Sequence, residues 1–189
     1  MQAIKGERGS LEVRTGQSGM VTKSHGATRA QPGDCLPAVS LPATTGGSID
    51  LSDLARSKHL VIFFYPGDLE GLRYPELTGC TPEACSFRDS IGELRALGAE
   101  IVGASMQSSS RQRSFAEREH LNFPVLSDEV GELINGLGVP TWASEYGEIF
   151  VSRTTIIVKK GGAIAHVFDD VQVDQHVSEV IAIVEALND

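Results

Sequence analysis

The sequence predicts an α/β domain of three layers, with a central mixed β-sheet flanked by helices. Three observations predict it. An unbroken apolar run, His59 to Tyr65, is dense in Val, Ile and Phe, as a strand covered on both faces must be. Strand and helix patterns alternate after it, and a hairpin followed by an amphipathic helix closes the chain.

Residues 1 to 32 are rich in Gly, Ser, Thr, Lys and Arg without either periodicity, and read as a disordered leader, a true extension or cloning-derived residues. The domain is expected over 33–189. Its first strand falls near Val39 to Ala43 and ends at Gly46-Gly47, and Ser52 is placed to cap a short helix through Ser57. The run from His59 to Tyr65 stops at Pro66-Gly67. After an irregular stretch, Phe87, Ile91, Leu94 and Leu97 recur at helical steps with Gly98 as the stop signal. Glu100 to Ser105 is the next strand, Arg111 to His120 the next helix, and Phe123 to Leu126 a short strand. Asp128 is expected to cap a helix through Leu137, ahead of a loop with Trp142 and Tyr146, both assigned to core or rim packing. The hairpin pairs Thr154 to Lys159 with Ala163 to Phe168 around Gly161-Gly162, and Val177, Val180, Ile181, Val184 and Leu187 line the last helix.

The chain has 189 residues, 41% of them hydrophobic, and a net charge of −9. Such a charge disfavours nucleic acid and anionic membranes as partners, since both carry the same sign. No apolar run approaches a membrane span and no secretory core opens the chain, which leads to the expectation of a soluble, cytoplasmic protein. Three cysteines are too few for a disulfide scaffold, so each needs its own explanation.

Gly79-Cys80-Thr81-Pro82-Glu83-Ala84-Cys85 is the most informative segment. Proline is tolerated in the first helical turn and not beyond it, so Pro82 pins Cys80 at a helix N-terminus, with Thr81 or Thr78 as the cap. Unpaired amides and the positive end of the helix dipole stabilise a thiolate there. Cys85 lies five residues on, roughly 8 to 9 Å away in helical geometry, so a disulfide requires the first turn to unwind. Taken alone, a C-x4-C pair is more often structural than reactive. A second class of function is a metal-binding or redox-sensing module holding copper or zinc through Cys80, Cys85 and a histidine such as His166, and metal analysis would discriminate.

The sequence resembles the peroxiredoxins, and within them the Q-type or bacterioferritin-comigratory branch. The resemblance rests on FFYP at Phe63 to Pro66, GCTPEACSFRD at Gly79 to Asp89, SFAEREHLNFPVLSDE at Ser114 to Glu129, Arg153 before a strand and HVFDD at His166 to Asp170, in family order. It implies a thioredoxin-like fold, no metal or organic cofactor, and reduction of hydrogen peroxide or organic hydroperoxides at the expense of thioredoxin or another dithiol. It implies Cys80 as the peroxidatic cysteine, Cys85 as the resolving one, Arg153 as the guanidinium beside the thiolate, and a monomer in preference to a dimer. One departure stands out. The family places Pro seven and Thr three residues before the peroxidatic cysteine, whereas Leu77 stands at minus three here, as if about seven residues were inserted within Gly67 to Leu77. Pro66 is retained as the shielding proline with Pro75 as rival, and Thr78 as the active-site hydroxyl with Thr81 as competitor. Cys35 is assigned to packing or a free thiol, and His166 to structural hydrogen bonding.

Overall fold

The computed structural model describes residues 28–67, 80–169 and 171–189. Its elements in order are β1 (Ser40–Pro42), β2 (Ser48–Asp50), α1 (Leu51–Ser57), β3 (His59–Phe64), α2 (Cys80–Ala96), β4 (Ala99–Ser105), α3 (Ser109–Arg118) and β5 (Val125–Ser127). There follow α4 (Glu132–Gly136), β6 (Thr141–Ala143), β7 (Ile149–Val151), β8 (Thr154–Val158), β9 (Ile164–Phe168) and α5 (Val173–Ala186). The main sheet has the order β5-β4-β3-β8-β9. Strands β3, β4 and β5 are parallel, while β8 and β9 join antiparallel, so the sheet is mixed.

The apolar run occupies the centre of that sheet because both faces of β3 are covered. All six of its residues are buried, and they alternate between two cores. Leu60, Ile62 and Phe64 face Leu51 and Ala55 of α1 and Leu133 and Ile134 of α4. Val61, Phe63 and Tyr65 face Phe87, Ile91 and Leu94 of α2, Phe115 of α3 and Val180 and Val184 of α5. Those are the three layers. The Phe63 ring stacks on Phe87 at 5.0 Å between centroids. It fits because its sheet neighbour is Gly103, where a Cβ would come within 2.8 Å of the ring.

Several local expectations change. A second strand, β2, pairs with β1 across Gly46 and Gly47, both at positive φ. The cap of α1 is Asp50, not Ser52: its Oδ1 accepts the Ser52 amide at 2.8 Å, and a carboxylate on the first turn also meets the helix dipole. Trp142 belongs to the hairpin β6–β7 rather than a loop, and its ring meets Phe150 at 4.8 Å. Tyr146, expected in packing, is 58% exposed at the hairpin tip. Packing also begins before residue 33, since Ala30 is buried in the core and its amide donates to the Leu137 carbonyl at 2.9 Å.

Asp128 works as expected, but from farther back. Its two carboxylate oxygens accept the amides of Glu132 at 2.7 Å and Ile134 at 2.9 Å, so one buried side chain caps two amides of the first turn of α4. Asp128→Ala strands both amides, and unfolding in urea is expected to show a loss of about 2 kcal/mol. An unchanged midpoint would mean that water replaces the carboxylate at no cost.

Candidate functional site

The carboxyl ends of β3, β4 and β5 lie along one edge of the sheet, the edge where α/β proteins place ligands. Strand β3 leaves it through Tyr65 and the buried Pro66 and Gly67. Gly67 sits at φ +151, and a Cβ there would approach the Gln107 side chain to 2.8 Å. Because β8 runs antiparallel with Phe64 opposite Thr154, Arg153 is delivered to that same edge, one step from Tyr65 and Pro66.

Helix α2 begins at Cys80, so the expected placement of this residue at a helix start holds for the backbone. Pro82 lies in the first turn, where its missing amide costs no hydrogen bond. Thr81 is inside the helix and half-buried, which excludes it as the cap. Thr78 and Pro75 lie outside the described residues, as does the side chain of Cys80. Cys85 is a free, half-buried thiol on the same continuous helix.

The sequence reading did not single out Glu83. Fully buried three residues after Cys80, it forms an ion pair and hydrogen bond with Arg153 Nη1. Burial drives its carboxyl up to about 7, against the opposing pull of the Arg153 charge. Its Oε1 accepts no hydrogen bond among the described residues. An acid in the first turn of a helix, in a motif that also requires an arginine, was the signal available in the sequence. The pair ties the edge of β8 to the first turn of α2 and holds Arg153 against the helix that Cys80 opens.

Below the pair lies a second buried polar group. His176 of α5 shares a 2.7 Å hydrogen bond with Thr155 Oγ1, and its ring stands edge-on to Phe87 and Phe168. Burial and then the nearby Arg153 charge push its pKa down to about 4, so the imidazole is neutral at neutral pH. It therefore adds no second cation beside Arg153. Tyr65 is held by its hydroxyl, which donates to Gln112 Oε1, while Gln112 Nε2 donates to Ser105 Oγ at 2.7 Å and Leu126 O at 3.0 Å. The hydrogen bonds of Tyr65 and Gln112 fix the strand ends that frame the site.

The remaining candidates lie elsewhere. His166 is on the edge strand β9, its ring 4.3 Å from that of Phe168. Cys35 is an exposed free thiol bridged through its backbone to Ala163. Among the described residues, no group of three or more His, Cys, Asp and Glu side chains is arranged to hold a metal ion, and no helix is long and apolar enough to cross a membrane.

Comparison with known proteins agrees with this architecture. The AhpC/TSA family model matches residues 32–167. The peroxiredoxin Bcp of Escherichia coli is 33% identical over 146 residues, covering 76% of this chain and 88% of the relative. The crystal structure of peroxidoxin BcpB from Mycobacterium tuberculosis superposes with a TM-score of 0.73 at 31% identity, over 84% of this chain and 98% of that one. A structure of the Xanthomonas campestris bacterioferritin comigratory protein, determined to explain its alkyl peroxide reduction, has a TM-score of 0.68 at 26% identity, over 81% and 98% of the two chains. A mixed sheet between helical layers, a cysteine at the start of the helix after the central strand and similarity over most of the chain converge on one answer: this chain belongs to the peroxiredoxins, in the Bcp and peroxiredoxin Q branch, and is a thiol peroxidase.

Proposed function

We propose that the chain reduces hydrogen peroxide and organic hydroperoxides through Cys80 and Cys85, as an antioxidant enzyme of the cytoplasm that works as a monomer and is recycled by thioredoxin or a similar dithiol. The observation that carries the reading is the helix start: α2 begins at Cys80, and Glu83 of that first turn holds Arg153 beside it.

The amides of the first turn and the Arg153 charge favour the Cys80 thiolate over the thiol. The thiolate attacks one peroxide oxygen, the O–O bond breaks, and the departing oxygen leaves as an alcohol or water after taking a proton. Arg153 is placed to bind the peroxide oxygens as charge develops on them. Cys80 becomes a sulfenic acid. Cys85 then attacks that sulfur, expelling water and leaving a disulfide that a dithiol reduces. Helical geometry holds the two residues too far apart to bond, so the first turn opens between the steps and Glu83 parts from Arg153. Pro66 shields the pocket from the β3 side, and Thr78 supplies a hydroxyl.

Mass spectrometry of protein treated with one equivalent of peroxide tests the cycle. The parent is expected to lose two hydrogens and Cys85→Ser to gain one oxygen, trapped as the sulfenic acid. An oxidised parent that carries added oxygen but no disulfide would remove Cys85 from the mechanism.

A further inference from the structure

Cys85 does not face a neutral environment. Its Sγ donates a hydrogen bond to Oε2 of Glu119, 3.7 Å away at the C-terminal end of α3. Glu119 is held in place from both ends. Its other oxygen, Oε1, pairs with Arg118 Nε at 2.8 Å, and its backbone carbonyl accepts Arg88 Nη1 at 2.6 Å. The Glu119 side chain is largely buried, with 18% of its surface exposed. Arg88, one turn along α2 from Cys85, is itself paired with Asp89 at 2.8 Å. Among the described residues, the charged groups around the thiol are therefore Glu119 from the end of α3 and Arg88 and Asp89 from its own helix. Burial raises the Cys85 pKa most, Arg88 opposes that rise, and Glu119 and Asp89 add to it. The resting residue is thus a thiol hydrogen-bonded to a carboxylate. A thiol is a poor nucleophile until it loses its proton, and among the described residues the side chain that accepts the Cys85 hydrogen bond is Glu119.

We propose that Glu119 is the general base of the resolving step, taking the Cys85 proton as its sulfur attacks oxidised Cys80. The proposal rests on the reading of Cys85 as the resolving thiol. The first turn of α2 opens and carries Cys80 toward Cys85, which stays on the intact part of the helix beside Glu119. The S–H proton passes to Oε2, the freed electron pair forms the S–S bond, and the S–O bond of the sulfenic acid breaks. The leaving hydroxide takes a proton back from the Glu119 carboxyl and departs as water. The oxidising equivalents are those already delivered by peroxide, so no further oxidant is required.

The experiment is a single turnover of Glu119→Gln with one equivalent of hydrogen peroxide. The first step is followed by peroxide loss, and the second by acid-quenched mass analysis of disulfide with dimedone trapping of residual sulfenic acid. The first step is expected within about twofold of the parent, which also shows that the site is folded. The second is expected to slow at least about tenfold at neutral pH, toward the 10²–10⁴ range of general-base contributions, and to recover as pH rises and solvent supplies the thiolate. Glu119→Asp is expected to fall between the two. The opposite role makes the opposite prediction: a carboxylate that merely raises the thiol pKa would, once removed, leave more thiolate and an equal or faster second step. That result overturns the proposal. Cys85→Ser, run in parallel, separates the two readings. If it still turns over, the resolving assignment fails and the role of Glu119 with it; if it stalls while Glu119→Gln resolves normally, only the general base is lost.

Discussion

Cys80→Ser is expected to reduce peroxide consumption to background, a fall of at least about 10³-fold in kcat/KM. A serine hydroxyl keeps the size of the side chain, but not its ionisation. The helix start and Arg153 can bring a thiol near 8.5 to neutral pH, whereas the same electrostatic help leaves an alcohol fully protonated. A nucleophile and its activators act as a unit, so removing the sulfur forfeits the help of the helix start and of Arg153 together. Stopped-flow kinetics with hydrogen peroxide and an organic hydroperoxide would measure the loss, and a thermal unfolding midpoint close to that of the parent would show that the fold survives. Peroxide turnover by Cys80→Ser, or a Cys80 thiol that titrates as fully protonated well above neutrality, would overturn the assignment.

Arg153→Ala is expected to have the next largest effect, with two separable parts. Loss of a fixed cationic donor at the peroxide should lower kcat/KM by about 10²–10³-fold. Arg153→Lys should rescue little, since an ammonium cannot reproduce the planar fork. The second part is stability. Glu83 already titrates near 7 because burial outweighs its partner, so the folded protein holds that proton more tightly than the unfolded chain does. The stability this confers is complete below the ordinary carboxyl range and declines as pH rises through 7. Without Arg153 the folded pKa rises further and the decline continues to higher pH. The Tm difference between parent and variant should therefore be small at pH 6 and grow above pH 7. Adding Glu83→Gln to Arg153→Ala should flatten that pH dependence without restoring activity. A constant Tm difference across pH would show that Arg153 does not shift the titration of Glu83.

Much of this was legible in the residues. An apolar run with no polar break had to be an interior strand, and a proline two residues after a cysteine had to place that cysteine at a helix start. The first follows from burial of apolar side chains on both faces and the second from backbone hydrogen bonding, and each is written in a short stretch of sequence. What sequence could not supply was pairing between distant segments. Glu83 and Arg153 are seventy residues apart, as the structure records for their hydrogen bond, and only the antiparallel register of β8 on β3 brings them together. Glu119 escaped notice for the same reason, since its role depends on how α3 ends beside α2. The cap of α1 was misplaced by two residues because Asp50 and Ser52 are both good capping residues, and only the observed backbone decides between them. The β6–β7 hairpin was read as a loop because its strands are three residues each, too short to establish alternation.

The bare backbone at Gly103 has a reach that its position on β4 does not advertise. The Phe63 ring occupies the space a side chain would have taken there, and it rests in turn on Phe87, within the same helix that opens with Cys80. A single methyl group introduced at 103 would press that aromatic ring toward α2, on the face of the sheet that this helix covers. The seating of the helix that begins at Cys80 thus involves a missing side chain on a neighbouring strand, whose room an aromatic ring has taken.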